Sequence, residues 1–596
     1  MIASKHKRWV RNQNHCIFET RIIGFLVLAA YSCASVYAAD LPAGATPGGA
    51  LPNLNDEITE PFVYPDPTFA PDKAEEIRAE DIDAPRLQVR GFRINGVKPH
   101  EKLGINQESI ERLVLSSAKE LVAGEASRGF TLSMFESINI AIGRYYREKG
   151  FFLARAYIPE QKVEEGIVTI NIVEGFIDQI VFSGNDLYSV EQLQDVFDRL
   201  KGEAIFLDNV ESAAFIANDF PGMSANVLFG PGLEPGSAAL QVNVEEETSD
   251  AYITFDNYGS TFTGENRLRG NYQLYNVFGQ ADRIDLNGIY TFDPQNSIYY
   301  DFAYQQPLLD NRYLVGGSYN ANAFDVGGNL TDLGINGKST ILRGFMTRII
   351  SRGRAARITT AVDLSLKLAE SKVISTLDSR DKLTVIGFSA DYAGTSWSSS
   401  RAYQQISAKL SIGLADFFGS MDSTGDGLSG RRGDIQERAG GDFTKLNIDY
   451  LRVSRLTEFQ SLLLRFSGQT SSDLLTSLEQ FSLGGPDTVR AYPVAEALVD
   501  KAWLLSAEWQ ADASPEIPQT WLNKLQFSIF YDYATGKLND PLTNDISSIS
   551  LSGLGFGVQV VPFNKFTAKM QYAIDLGDEP SENQSLPFYF TLQYDF

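Results

Sequence analysis

The chain closes on Phe588-Tyr589-Phe590-Thr591-Leu592-Gln593-Tyr594-Asp595-Phe596, in which Phe588, Phe590, Leu592, Tyr594 and Phe596 share one side of an extended strand. Tyr589, Thr591, Gln593 and Asp595 take the other side, because successive side chains of a strand point to opposite faces. The same alternation recurs upstream. Phe566, Ala568, Met570, Tyr572 and Ile574 oppose Thr567, Lys569, Gln571 and Asp575. Leu446, Ile448 and Tyr450 oppose Lys445, Asn447 and Asp449, and Tyr300, Phe302 and Tyr304 oppose Asp301, Ala303 and Gln305. A soluble sandwich alternates too, so the period alone leaves two architectures open.

Three further features choose between them. From about residue 250 to the end, about 345 residues carry no helical period, long for one sandwich but suited to roughly 16 strands with their turns and loops. The apolar faces are rich in Tyr and Phe, as the aromatic girdles of a membrane barrel require. The last strand, with its terminal Phe596, resembles the C-terminal signal by which the barrel assembly machinery reads outer-membrane proteins. After the N-terminal region no run of about 20 apolar residues remains for a spanning helix, and a closed barrel is the other way to satisfy every backbone group in lipid. The expectation over residues 249–596 is a transmembrane β-barrel of about 16 antiparallel strands.

At the other end, Lys5, Lys7, Arg8, Arg11 and Arg21 precede the apolar run Ile22 to Ala30, and Val36-Tyr37-Ala38 offers a small-x-small cleavage site. Residues 1–38 therefore read as a secretory signal, the run being too short for a membrane anchor. Cys33 raises a lipoprotein site, but Tyr31 and the missing leucine argue against it. Cys16, Cys33, His6 and His15 all fall inside the signal, leaving His100 as the one histidine beyond it. That excludes disulfides, cysteine nucleophiles and His-based zinc sites, and no cofactor is expected. His100, in Lys98-Pro99-His100-Glu101, reads as a surface residue. The chain has 51 basic and 75 acidic residues; without the signal's five basic residues and Glu19 the net charge is −28, which disfavours nucleic acid as a partner.

Residues 39–85, with Pro61, Pro65, Pro67 and Pro71, read as a proline-rich linker. A pattern then appears twice. In residues 86–175 a strand around Gln88 to Ile94 is followed by a helix started by Asn106, a second helix behind Ser133-x-x-Glu136, and strands Phe152 to Ile158 and Val168 to Val173. In residues 176–248 a strand at Ile180 to Phe182 precedes helices behind Ser189-x-x-Gln192 and Asp208-x-x-Glu211, with strands around Ala225 to Phe229 and Leu240 to Val244. Both copies run β-α-α-β-β, a tandem repeat of one α+β module.

A signal, two such modules and a barrel resemble the two-partner secretion transporters of the TpsB type, the haemolysin and haemagglutinin secretion-activation family, whose periplasmic modules are POTRA domains. The most specific part is Leu483-Gly484-Gly485-Pro486-Asp487-Thr488-Val489-Arg490-Ala491-Tyr492-Pro493, similar to the Val-Arg-Gly-Tyr motif that the family carries on a loop folded into the lumen. Ala491 stands where the family has Gly, which raises a question of backbone freedom. Phe530-Tyr531-Asp532-Tyr533-Ala534-Thr535-Gly536 is similar to the family's inner-wall Phe-x-Asp-x-Gly motif with the Gly displaced, and the resemblance implies that Asp532 pairs with Arg490. Gly553-Leu554-Gly555-Phe556-Gly557 has no following helix and reads as strand glycine rather than a nucleotide loop.

The resemblance implies an outer-membrane protein, not an enzyme, that exports a partner exoprotein (an adhesin, haemolysin or related toxin). Its further partners would be outer-membrane lipid, the barrel assembly machinery and periplasmic chaperones. An insertase for other barrels is the alternative in the same architecture, although those relatives usually carry more POTRA modules. A passive porin or receptor would leave both modules idle.

Overall fold

The computed structural model describes residues 42–52, 85–122, 129–234, 236–293, 297–308, 311–353, 356–396, 398–513, 522–543, 545–563, 565–581 and 588–596. The signal read over residues 1–38 lies outside these.

Local caps set the helices of the modules. The Asn106 side chain accepts from Ser109 N at 2.8 Å while Ser109 Oγ accepts from Asn106 N at 3.0 Å, a reciprocal capping box ahead of α1 (Gln107–Leu121). α2 (Leu132–Glu148) starts two residues earlier than Ser133-x-x-Glu136 implied, because Thr131 is the cap and its hydroxyl accepts from Met134 N. With β1 (Gly91–Asn95), β2 (Arg155–Tyr157) and β3 (Ile167–Val173) they complete the first module. β3 is central, parallel to β1 and antiparallel to β2, and Ile138, Ile142, Val168 and Ile170 close the core between helices and sheet. His100 departs from the surface reading. Its Nε2 lies 3.1 Å from the buried Glu174 carboxylate and its ring packs on Phe151.

The second module repeats this with β4 (Phe176–Ser183), α3 (Val190–Phe197), α4 (Leu207–Asn218), β5 (Met223–Pro231) and β6 (Ser237–Glu246), ordered β4-β6-β5 with the same senses. Ser189 and Gln192 form the capping box of α3. Asp208 caps nothing: α4 begins behind Phe206, whose ring meets Phe151 edge-on at 5.2 Å, so apolar packing between the modules sets this helix start.

The barrel comprises β7 (Ser249–Asp256), β8 (Asn266–Tyr275), β9 (Arg283–Phe292), β10 (Ser297–Leu308), β11 (Tyr313–Asp325), β12 (Asn336–Arg352), β13 (Ala356–Val373), β14 (Thr376–Ser396), β15 (Ser399–Gly413), β16 (Phe443–Arg455) and β17 (Gln460–Ser471). A loop hairpin, β18 (Phe481–Leu483) and β19 (Ala497–Val499), interrupts the series, which resumes with β20 (Lys501–Asp512), β21 (Leu522–Lys537), β22 (Ser548–Pro562), β23 (Phe566–Asp575) and β24 (Phe588–Asp595). Without the hairpin these are 16 strands in one closed antiparallel ring, sealed where β24 pairs with β7. The alternation read from sequence sorts as lipid demands. Tyr300, Phe302, Leu505, Ile529 and Phe556 stand exposed on the outer wall, and Asp363, Ser506 and Asp532 are buried on the inner one. Among the described residues no helix is long and apolar enough to cross a membrane.

Both barrel termini, Ser249 and Phe596, lie at the rim beside the second module, and Phe596 N donates to Ala251 O there. The module is fastened to that rim. Arg352, at the end of β12, donates to both Asp219 oxygens at 2.8 and 2.9 Å, and Asn276 Nδ2 donates to Leu187 O at 2.7 Å. Part of the stretch read as linker is built into the opposite rim. Residues 42–52, around the 3-10 turn Ala43–Ala45, bury Ala45 and Ala50 among Phe262, Phe324, Val326 and Ile335, and Asn322 donates to Ala50 O.

Candidate functional site: a loop clamped inside the barrel

Between β17 and β20 the chain leaves the far rim and returns, and residues 472–500 fold inward around the β18–β19 hairpin. Gly484 and Gly485 adopt φ of 92° and 102°, a left-handed backbone that favours glycine, and the Gly485 N–H closes onto Tyr492 O. This tight return carries Val489-Arg490-Ala491-Tyr492 into the lumen, where all four side chains are buried.

Arg490 meets the wall at β20 and β21. Its Nε and Nη2 donate to Asp532 Oδ2 and Oδ1, both at 2.8 Å, and its backbone N–H donates to Oδ2 at 3.1 Å. Nη1 donates to Glu508 at 2.5 Å and Nη2 to Ser506 Oγ at 3.3 Å, while Ser506 donates to Asp532 at 2.7 Å. The guanidinium carbon lies 3.3 Å from the Phe530 ring centre, within cation-π range. One cation thus faces two carboxylates and an aromatic face, and a bidentate fork gives it a single preferred pose. Asp532, Ser506, Glu508 and Phe530 occupy inner-face positions, with Ser506 paired to Asp532 and Glu508 to Phe530 in the strand register.

Tyr492 ties the loop tip to the last hairpin. Its hydroxyl donates to Asp578 O, and its carbonyl accepts from the buried Tyr589 hydroxyl, each at 2.7 Å. Ala491 has no positive φ, so the backbone question raised by its replacing Gly does not arise. Space decides here instead. A Cβ on Gly553 of β22 would stand 2.4 Å from the Ala491 Cβ, and one on Gly555 would stand 2.3 Å from the Phe530 ring. The glycines of β22 hollow the wall where Ala491 rests and where Phe530 lies beneath Arg490.

A second clamp grips the same loop from another part of the wall. Glu479, fully buried, meets Lys367 Nζ at 2.6 Å and Lys445 Nζ at 2.8 Å, and its carbonyl accepts from Lys445 Nζ and Gln469 Nε2. Burial alone would push its carboxyl up, but Lys367 and Lys445 outweigh burial and hold it down at about 2. Sequence reading missed Glu479, Glu508 and Ser506. For the latter two the signal existed, since they sit on the same face of one alternating strand.

Loop and N-terminal segment together occupy the lumen. Gly48 to Pro52 and Arg490 line one remaining cavity of about 1150 Å³, and an ideal Cβ on Gly48 would overlap Ser477 of the loop. Among the described residues no group of three or more His, Cys, Asp or Glu could hold a metal ion.

A 16-stranded barrel with a lumen loop, preceded by tandem β-α-α-β-β modules, defines an outer-membrane barrel protein with POTRA domains. Comparisons specify it further. Residues 236–560 match the haemolysin secretion/activation protein ShlB/FhaC/HecB family, and residues 103–175 match the ShlB-type POTRA domain. The heme/hemopexin transporter protein HuxB of Haemophilus influenzae (strain 86-028NP) is 22% identical over 497 residues, 82% of this chain and 84% of its own. The outer membrane transporter CdiB of Dickeya dadantii (strain 3937) is 24% identical over 456 residues, 74% and 76% of the two chains. Among solved structures, CdiB from Escherichia coli superposes with a TM-score of 0.66 at 18% identity, covering 89% of this chain and 93% of its own, a likeness of fold. The chain belongs to the ShlB/FhaC/HecB haemolysin secretion/activation family. It is a two-partner secretion transporter of the outer membrane, with its POTRA modules in the periplasm and a secreted exoprotein as its partner.

Proposed function

We propose that the two modules capture the exoprotein as an extended chain and that the barrel passes it outward once residues 472–500 leave the lumen. Open sheet edges support the first step. β2 and β5 each lie at the edge of a three-stranded sheet, and Tyr157 on β2 is exposed. A strand added there gains main-chain hydrogen bonds with little demand on sequence.

The observation that carries the second step is the Arg490–Asp532 fork inside the lumen. Arg490 holds the loop to the wall through Asp532 and Glu508. Gly484 and Gly485 supply the return, and Val489, Ala491 and Tyr492 seat the tip. Folding of the cargo outside supplies the driving force, and the reading includes no catalytic step, cofactor or nucleic acid. Phe596 serves recognition by the barrel assembly machinery, with periplasmic chaperones delivering the chain to the outer-membrane lipid. The cargo class is a large adhesin, haemolysin or related toxin. Secretion measured for Arg490→Ala and for Asp532→Ala tests the site. Export is expected to fall at least tenfold with a folded, membrane-inserted barrel, because a loop without its single seat obstructs the lumen in many poses instead of leaving it as one unit, and undiminished export would remove the role assigned to the pair.

A further inference from the structure

On the outer wall near the far rim, β16, β17, β20 and β21 leave a groove of about 340 Å³ lined by Leu446, Ile448, Phe466, Trp503 and Thr535. Its floor is Gly468, where an outward side chain would otherwise stand; a Cβ there would lie 3.2 Å from the Phe466 ring. At its upper end Lys501 and Lys537 face each other directly across the β20–β21 pair. Both belong to the lipid-facing set, since the intervening positions Ala502, Leu504, Ala534 and Gly536 are buried toward the lumen. Like charges directly opposite on a sheet are destabilising unless something neutralises them.

Nothing among the described residues does. Neither lysine has an ion-pair partner there, and the rim carboxylates nearby in sequence are engaged elsewhere. Asp500 is fully buried and accepts from Leu475 N, Gln480 Nε2 and Asn539 N. Asp540 accepts from the Ile435 and Gln436 N–H groups, and Asp545 pairs with Arg431. The rim opposite the POTRA modules faces the cell exterior, so the groove opens into the outer leaflet. The geometry points to a binding site for a phosphate-bearing lipid of that leaflet, its acyl chain in the Gly468 groove and its phosphate between Lys501 and Lys537. Basic groups at the head-group level beside an apolar cleft are how membrane proteins select anionic lipids.

The test uses the full-length protein in detergent and measures binding of bisphosphorylated lipid A, of its dephosphorylated form and of inorganic phosphate by native mass spectrometry. The wild type is expected to prefer the phosphorylated lipid by roughly 30-fold, from two cations near the surface. Lys501→Gln with Lys537→Gln removes the preference, the corresponding double Arg variant keeps it, and Gly468→Leu weakens both lipids alike. Heat-modifiable mobility on gels shows which variants hold a folded barrel. Should the double Gln variant not fold, Lys537→Gln alone is expected to reduce the preference about fivefold. Equal binding of the two lipids, wild-type behaviour of the folded variants, or displacement of the lipid by millimolar inorganic phosphate would each overturn the proposal.

Discussion

Arg352 of the barrel and Asp219 of the second POTRA module join through two hydrogen bonds of 2.8 and 2.9 Å, with both side chains largely shielded from solvent. Arg352 also stacks over Phe215, and its carbonyl accepts from Ser212 Oγ. Removing one partner of a buried pair strands the other charge, at a cost of about 3–5 kcal/mol. Arg352→Ala is therefore expected to release α4 from the rim, seen as faster amide exchange over residues 207–218. The swap Arg352→Asp with Asp219→Arg should restore much of the protection; unchanged exchange in the single variant would show that the joint does not hold the module.

The Glu479 clamp has a defined pH dependence. Its carboxyl is held at about 2, below an ordinary value of 4.5. A depressed carboxylate contributes its full stabilisation above the unfolded value, and the contribution is lost as pH falls from about 4.5 toward about 2. Single-channel recordings should show more frequent openings as pH is lowered through that window. Glu479→Gln should open more often already at neutral pH and lose this acid dependence. A Gln variant indistinguishable from wild type across the range would count against the clamp.

Ala491 and Gly553 form a size-matched contact. Gly553→Val drives a side chain into the seat of Ala491, and overpacking of this kind costs about 1–3 kcal/mol. Export is expected to change because the loop tip no longer docks. Pairing the milder Gly553→Ala with Ala491→Gly should return export to near the wild-type level, whereas no rescue would point to damage in the barrel itself.

The contact between the N-terminal segment and the lumen loop gives a reversible lock. Both native cysteines, Cys16 and Cys33, precede residue 39. A Cβ on Gly48 would stand 3.0 Å from the Ser477 Cβ but 2.0 Å from its carbonyl oxygen, so the disulfide of Gly48→Cys with Ser477→Cys closes once the two backbones draw slightly apart. Oxidised cells should secrete several-fold less than reduced ones, and secretion insensitive to the bond would mean that these segments need not separate during export.

Much of this architecture was legible before any coordinates, for physical reasons that differ by element. Period-two alternation in lipid is strict, so the strands of the barrel and their facing followed from residues such as Phe566 to Asp575. Asn106 and Ser189 marked helix starts correctly because their own side chains make the cap. Asp208 misled, since Phe206 packing on Phe151 sets that start instead. In the lumen, Arg490 and Asp532 stood out by resemblance. Glu479 did not, because Lys367 and Lys445 come from distant strands that only the closed ring brings together. The seating of residues 42–52 was equally hidden: their buried alanines carry no periodic signal, and their partners lie more than 200 residues away.

The joint between β24 and β7 holds by five residue pairs, whereas β13 and β14 share eighteen. A hoop loaded from within parts at its narrowest lap. Cargo pressing outward in the lumen would therefore strain the wall first between the barrel's own first and last strands.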